Sequence, residues 1–186
     1  MRKIIVFFAA CFLVVATVNA QKFFTREANI SFYSDAPMEK IEAHNKKGTS
    51  VIDAASGKME FAVLIKAFQF EKALMQEHFN ENYMESTKFP KAVFKGEFTN
   101  LKEIDFSKDG TYDATVKGEM TIHGVTKEVE TKGQVIVEGG AVKAVSTFEL
   151  TVADFDIVIP AVVRDNIAKI VKVEVDAAYQ PLEKGS

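Results

Sequence analysis

Strict two-residue alternation of side-chain polarity is the feature that most limits how this chain can fold. It is clearest from Tyr112 to Ile122, where the even positions are apolar or small and most odd positions are polar. Side chains of a β-strand point alternately to opposite faces, so this period predicts a strand with one covered and one wet face. Similar runs recur at residues 24–33, 58–70, 91–100, 125–137, 142–152 and 167–179, with weaker candidates at 38–44 and 49–53.

Short turn signals separate these runs. They are Asn45–Gly48, Ser56-Gly57, Asp109-Gly110, His123-Gly124 and Glu138–Gly140. Alternating runs joined by such turns are typical of antiparallel hairpins. The apolar side changes phase within residues 58–70, which predicts a bulge or bend there.

About eight strands in a meander predict an all-β fold, and a closed antiparallel barrel removes the unpaired edges of such a sheet. Small residues recur on the inward parity, namely Ala92, Gly96, Ala114, Gly118 and Gly133. We expect them to leave room inside, because an eight-stranded barrel either fills itself with side chains or holds one small ligand.

One stretch departs from the strand pattern and predicts a short helix. Met75, Phe79 and Tyr83 recur at four-residue spacing, with polar residues on the opposite side. This is the pattern of an amphipathic helix. Pro90 restricts the residue before it to extended geometry, so we expect Lys88-Phe89-Pro90 to stop the helix. The helix is expected to close the barrel near its mouth.

The first twenty residues predict a secretory signal. Arg2-Lys3 precedes the apolar run Ile4–Val18, and Val18-Asn19-Ala20 offers a small-x-small cleavage site. We therefore expect cleavage after Ala20, a barrel domain of residues 21–186, and a periplasmic or secreted protein. A lipoprotein anchored at Cys11 is the rival interpretation, but the apolar run continues beyond that cysteine. No second apolar run is long enough to span a membrane.

Charge and cysteine content exclude several classes of function. Loss of Arg2 and Lys3 changes the formal net charge from −3 to −5, and the chain has no basic run. Nucleic acid is therefore not an expected partner. Cys11 is the only cysteine, so the remaining domain has no disulfide, thiolate nucleophile or cysteine ligand.

No pattern of catalytic or metal-binding residues stands out. His44, His78 and His123 show no local ligand spacing, and Glu77, Glu81 and Glu85 fall on the wet face of the predicted helix. The chain has no nucleophile elbow and no phosphate-binding glycine loop. We expect no enzyme activity, no metal ion and no cofactor.

Three stretches carry a family resemblance. They are Gly118–Val129 (GEMTIHGVTKEV), Met75–Phe94 (MQEHFNENYMESTKFPKAVF) and Ala153–Ile157 (ADFDI), the last followed by the closing strand at 170–177. In this order and spacing they resemble the YceI-like family of bacterial periplasmic, lipocalin-like proteins. The family's usual Asp-Phe-Gly is Asp154-Phe155-Asp156 in this chain. The resemblance implies an elongated lipocalin-like barrel whose apolar tunnel binds a polyisoprenoid or similar amphiphile, such as an isoprenoid quinone or a polyprenyl phosphate.

A site follows from this interpretation. Phe and Met offer broad, adaptable surfaces for a prenyl chain. The expected apolar wall comprises Phe61, Ile65, Phe70, Met75, Phe79, Tyr83, Phe89, Phe94, Met120, Phe148 and Phe155. His78 is a candidate head-group contact or an ordinary boundary residue, and the loop from Asp154 to Val163 is expected to complete the mouth.

Two other functions remain open at this point. The helix residues could fill the barrel end as ordinary core, which would make the protein a ligand-free module for envelope stress or adhesion. A small hydrolase using the barrel mouth is a further alternative. The sequence leaves monomer and homodimer open.

Overall fold

The computed structural model describes residues 21–182. The predicted signal peptide, residues 1–20, lies outside the described residues. The strands are β1 (Lys22–Asp35), β2 (Lys40–Asp53), β3 (Lys58–Leu64), β4 (Gln69–Phe70), β5 (Lys91–Phe98), β6 (Gly110–Ile122), β7 (Val125–Glu138), β8 (Ala141–Thr151) and β9 (Ile170–Pro181).

Eight of these strands close into a barrel, which confirms the predicted fold. They pair in the order β1-β9-β8-β7-β6-β5-β3-β2, and β1 pairs again with β2. All eight pairings are antiparallel. The two-residue strand β4 pairs with β2 at Ala43 and His44. The covered face of each alternating strand therefore lines a common interior.

The barrel has two different ends. The end where β1 leads to β2, β3 to β5, β6 to β7 and β8 to β9 is called the open end, and the opposite end the closed end. At the closed end, Phe106 from the β5–β6 connection stacks on Phe23 with ring centroids 5.7 Å apart. Phe23, Ile52 and Val135 are there completely removed from solvent, at 0% exposure. The closed half is thus a packed hydrophobic core.

The predicted short helix is confirmed at the open end. Helix α1 (Ala73–His78) continues into a π-helical turn, Phe79–Tyr83, and the two together are called the helical cap. It ends before the predicted stop at Lys88-Phe89-Pro90. The backbone N–H of Ser86 donates to the Asn80 carbonyl at 2.8 Å, and Glu85 has a φ of 41°. A left-handed residue just past the last turn ends a helix because it turns the chain back on itself.

The predicted turn at Asn45–Gly48 is wrong, because these residues lie inside the continuous strand β2. The pairing of β1 with β2 shifts register on both sides of Ala28, which lies opposite Gly48. Asn45 is 1% exposed, and its side-chain amide donates to the Leu64 carbonyl at 2.9 Å. Its Oδ1 accepts from the Lys47 N–H at 2.9 Å. Turn-forming residues can therefore make a β-bulge instead of a hairpin when the strand continues beyond them.

The predicted bend within residues 58–70 is confirmed. Strand β3 stops at Leu64, and the 3-10 turn Ile65–Ala67 redirects the chain into β4. This turn moves the chain from the wall towards the barrel end and delivers it to the helical cap.

The inward glycines do not create the space that the sequence predicted. A Cβ built on Gly96 would lie 2.6 Å from Phe94 Cζ, and one on Gly118 would meet the backbone of Lys95. Gly96 and Gly118 face each other across β5 and β6. They let two strands, and the Phe94 ring, approach closely, which agrees with the role of glycine inside strands.

Candidate functional site

An apolar cavity of about 430 Å³ occupies the open half of the barrel. Its wall comes from the inward faces of seven of the eight barrel strands, from the helical cap and from the loop between β8 and β9. The predicted residues that line it are Phe61, Ile65, Phe70, Met75, His78, Phe79, Tyr83, Phe94, Met120, Phe148 and Phe155. Residues far apart in sequence thus meet around one space.

Phe89 does not line the cavity. Its ring packs edge-on against His123, with centroids 4.8 Å apart, and the Lys88 ammonium lies 4.7 Å from its centroid. The chain has already left the helical cap at this point and is turning into β5. The ring therefore closes the outside of the β6–β7 turn.

Sequence reasoning missed a larger part of the wall. Ala92, which was expected on the inward parity, lines the cavity, and so do Ile157, Ile159 and Val163 of the expected mouth loop. The residues that were missed are Ile30, Phe32, Ile41, Val63, Phe68, Val93, Ile122, Leu150, Val152, Ile167, Val171, Val173 and Val175. Most lie on the inward parity of a strand, so alternation was the signal that could have found them. Alternation alone does not separate cavity wall from packed core, and for that reason they were not singled out.

Phe79 anchors the helical cap to the barrel. Its ring stacks on Phe32 of β1 with centroids 5.4 Å apart. It also contacts Phe70 at 5.0 Å and Phe68 at 5.7 Å. Offset and edge-to-face contacts of this kind add to the stabilisation from burial alone. The cap is therefore held over the cavity by an aromatic cluster on one side.

A second attachment joins the end of the cap to the opposite wall. His123 Nε2 lies 3.3 Å from Glu85 Oε1, and its Nδ1 lies 3.2 Å from the Phe155 carbonyl oxygen. Glu85, His123 and Asp156 have φ values of 41°, 51° and 55°. Non-glycine residues with positive φ are uncommon. The three that occur among the described residues all lie where the chain leaving the cap meets the β6–β7 turn and the β8–β9 loop.

Asp156 ends the 3-10 turn that carries Phe155. Its φ of 55° places it in the left-handed region, which glycine adopts freely and aspartate tolerates better than most residues. It follows Phe155, which is 2% exposed and packs with Phe94 and Met120. The left-handed conformation of Asp156 therefore ends the turn that places Phe155 in the wall.

Strands β7 and β8 separate near the site. They pair only along their closed-end halves among the described residues, from Gly133–Ser146 to Glu138–Ala141. Towards the open end, the 3-10 turn Val152–Phe155 lies beside β7, and Val129 packs into the same cluster as Phe155. Side chains, and not backbone hydrogen bonds, close the wall there.

The polar part of the lining is confined to the mouth. It comprises Ser34, Glu39, His78, Tyr83 and Asn166. Glu39 Oε1 accepts from the Lys72 ammonium at 3.3 Å, and its Oε2 lies 3.5 Å from the Asn166 amide nitrogen. Burial raises the pKa of the Tyr83 phenol above its ordinary value. Its hydroxyl therefore stays protonated at neutral pH.

The deep part of the cavity offers only packing surface, and the mouth offers hydrogen-bonding groups. Within residues 21–182, no group of three or more His, Cys, Asp or Glu side chains is arranged to hold a metal ion. No helix in this described part has the length and apolar character needed to cross a bilayer. The geometry suits an amphiphile with its tail inside and its polar end at the mouth.

Solved structures show where this architecture recurs. A polyisoprenoid-binding domain from Saccharophagus degradans, implicated in plant cell wall breakdown, matches with a TM-score of 0.75 at 12% identity, covering 88% of this chain and 99% of that one. BcnA of Burkholderia cenocepacia matches with a TM-score of 0.67 at 15% identity, covering 82% and 96%. A YceI protein of Campylobacter jejuni gives 0.53 at 14% identity, covering 76% and 85%. At these identities the likeness concerns the fold.

Sequence comparison identifies the family. A search of curated protein sequences finds no match. The sequence profile of the YceI-like domain matches residues 17–179, which include strands β1 to β8 in full, most of β9, and every residue that lines the cavity. This chain therefore belongs to the YceI-like family.

Proposed function

We propose that this protein carries an isoprenoid-type amphiphile, such as a polyprenyl phosphate or an isoprenoid quinone, in its open-end cavity and performs no catalysis. The observation that carries the proposal is an apolar cavity of about 430 Å³ in one half of a barrel whose other half is packed. Two further facts support it. The chain belongs to the YceI-like family, and the similar domain of S. degradans is described as polyisoprenoid-binding.

Burial of the tail would supply most of the affinity. Each methylene-sized group removed from water contributes about 0.8 kcal/mol. A few isoprene units therefore suffice for tight binding without a strong polar anchor. The cavity volume of about 430 Å³ lies within the range of roughly 300–1,000 Å³ typical of small-molecule sites.

The tail would lie along the deep wall, against Phe61, Phe94, Met120 and Phe148. The helical cap would contact its outer part through Phe79, and His78 would reach the head group. Met75 and Phe155 would close the sides. Phe89, which packs on His123, would affect binding only through the junction that holds the cap.

The main alternative is a ligand-free interaction module with a filled barrel. It predicts side chains packed throughout the interior, as they are in the closed half. The open half instead encloses the cavity under the cap. This difference favours a bound ligand.

Export by the signal of residues 1–20, cleaved after Ala20, completes the proposal. The YceI-like family is periplasmic, and the described barrel starts at Lys22, immediately after the proposed cleavage site. The exported barrel would then carry its lipid through an aqueous compartment. Mass spectrometry of the N-terminal peptide of the exported protein, expected to begin at Gln21, checks the cleavage.

Native mass spectrometry of the protein purified from its own envelope tests the function. We expect an extra mass that organic extraction recovers as a prenyl lipid. A clean ligand-free mass, unchanged after addition of an isoprenoid quinone and of a polyprenyl phosphate, would contradict the proposal.

A cavity-filling pair of variants sharpens this test. Leu150 lines the cavity, and its neighbour Glu149 is exposed on the outer face of β8. Leu150→Trp is expected to exclude the ligand while the barrel stays folded, and Glu149→Trp is expected to bind as the parent does. Equal binding by both would place the ligand elsewhere.

A further inference from the structure

We propose that the head group of the bound amphiphile is uncharged or cationic and donates a hydrogen bond to Glu39, so that the site selects against phosphate heads. This inference rests on the proposed function, whose ligand class it narrows: of the two examples given there, it disfavours the polyprenyl phosphate and retains the isoprenoid quinone in its reduced form, whose hydroxyl groups can donate to Glu39. It follows from which polar groups the fold brings to the cavity mouth.

The formal charge in the cavity lining is negative. Glu39 is the acidic residue of the lining, and among the described residues no lysine or arginine lines the cavity. The other polar lining groups are hydroxyls, an amide and His78. An amphiphile whose tail lies inside therefore presents its head to a carboxylate.

The fold holds this carboxylate in place. Glu39 lies in the connection from β1 to β2, where its carbonyl accepts from the Ala36 N–H at 3.1 Å. The adjacent Met38 N–H donates to the Asp165 carbonyl in the opposite loop at 2.9 Å. The Glu39 side chain is 30% exposed. Two hydrogen bonds from the backbone thus fix its position at the mouth, with part of the carboxylate accessible.

The carboxylate keeps capacity for a ligand. An ionised carboxylate can accept about four hydrogen bonds. Glu39 receives one contact from Lys72 at 3.3 Å and one from Asn166 at 3.5 Å. The second of these is at the limit of hydrogen-bonding distance. A hydroxyl or ammonium group of a ligand can therefore bind without displacing either neighbour.

Lys72 is the cation nearest to this carboxylate in the mouth, and its position does not make the mouth an anion site. Its side chain is 62% exposed and outside the lining, and it already pairs with Glu39. A phosphate head would have to compete with the negatively charged Glu39 for the Lys72 ammonium. Moving it from water into a partly apolar mouth would also remove hydration that Lys72 alone does not replace.

Neighbouring groups complement a hydroxyl head in particular. Ser34 Oγ accepts from the Ala168 N–H at 2.8 Å, so its own proton is available to a ligand oxygen. Tyr83, which carries a second hydroxyl, also lines the cavity. An alcohol can donate to Glu39 and accept from Ser34 or Tyr83, whereas an amine gains charge complementarity with Glu39.

Three ligands with one tail test the inference: geranylgeraniol, geranylgeranylamine and geranylgeranyl phosphate, titrated into the purified exported protein by calorimetry. We expect the alcohol and the amine to bind at least about tenfold tighter than the phosphate. Equal affinity for all three would retain the proposed function and overturn the head-group inference. Binding by none would overturn both.

Two isosteric variants locate the effect. Glu39→Gln is expected to weaken amine binding by about tenfold and to strengthen phosphate binding, with alcohol binding changed less than about threefold. Glu42→Gln removes the same charge from an exposed position on β2 and is expected to leave all three affinities unchanged. Tightest binding of the phosphate, lost in Lys72→Met, would identify an anion site at Lys72 and overturn the inference.

Discussion

The two halves of the barrel share one strand pattern but differ in what fills them. In the closed half, Phe23, Ile52 and Val135 are completely buried, and Phe106 enters from a loop and stacks on Phe23 at 5.7 Å. In the open half, the helical cap and the β8–β9 loop arch over the interior and leave about 430 Å³. The same inward alternation thus gives core where a connection inserts a side chain and cavity where a connection forms a roof.

Truncation of one phenylalanine in each half should give the largest contrast. Phe23→Ala is expected to lower the free energy of unfolding by about 3–5 kcal/mol, because it opens a hole in packed core. Phe61→Ala is expected to lower it by about 1–2 kcal/mol, because Phe61 already borders the cavity. Urea denaturation followed by circular dichroism measures both. Equal losses would mean that the open half is packed as tightly as the closed half.

Alkaline pH should separate the buried Tyr179 from the partly buried Tyr83. Burial raises the pKa of Tyr179 to about 12, although a hydrogen bond to Ser50 acts in the opposite direction. The folded state therefore holds this proton more tightly than the unfolded state. Stability from this group is complete below about pH 10 and is lost as the pH rises towards 12, by up to about 3 kcal/mol.

Tyr179→Phe is expected to flatten that alkaline loss, measured as unfolding free energy against pH. Tyr83→Phe, in the open half, is expected to leave most of the loss in place. A slope that disappears with Tyr83→Phe and persists with Tyr179→Phe would reverse the assignment of the more deeply buried phenol. Near neutral pH, Tyr179→Phe should cost about 1 kcal/mol because the Ser50 hydrogen bond is lost.

The smallest expected effect concerns the junction of the open half. Asp156→Gly should raise the free energy of unfolding by no more than about 1 kcal/mol, because glycine adopts the left-handed conformation without strain. Asp156→Val should lower it, since a β-branched residue fits that conformation poorly. Thermal unfolding of both variants measures these two changes in stability. Stabilisation by valine would contradict the strained backbone at this turn.

The barrel could be predicted because its signals are local. Alternation in Tyr112–Ile122 and similar runs reports which side chains face inward, and four-residue spacing at Met75, Phe79 and Tyr83 reports the helix. The prediction of a turn at Asn45–Gly48 was wrong because of a contact between residues far apart in the sequence. The amide of Asn45 finds its partner in Leu64, nineteen residues away, and that contact stabilises a bulge where the local sequence predicted a hairpin.

The sequence alone determined most of the strands, the helix and the meander, because each follows from the periodicity of nearby residues, and three of its motifs carried the resemblance to the family. Only the tertiary structure decided which half is hollow, that Phe89 packs on His123 and that Glu39 faces the mouth. These depend on which connection reaches over which end of the barrel. Contacts of that kind join residues far apart in the chain, and alternation describes the face of a strand but not what packs against it.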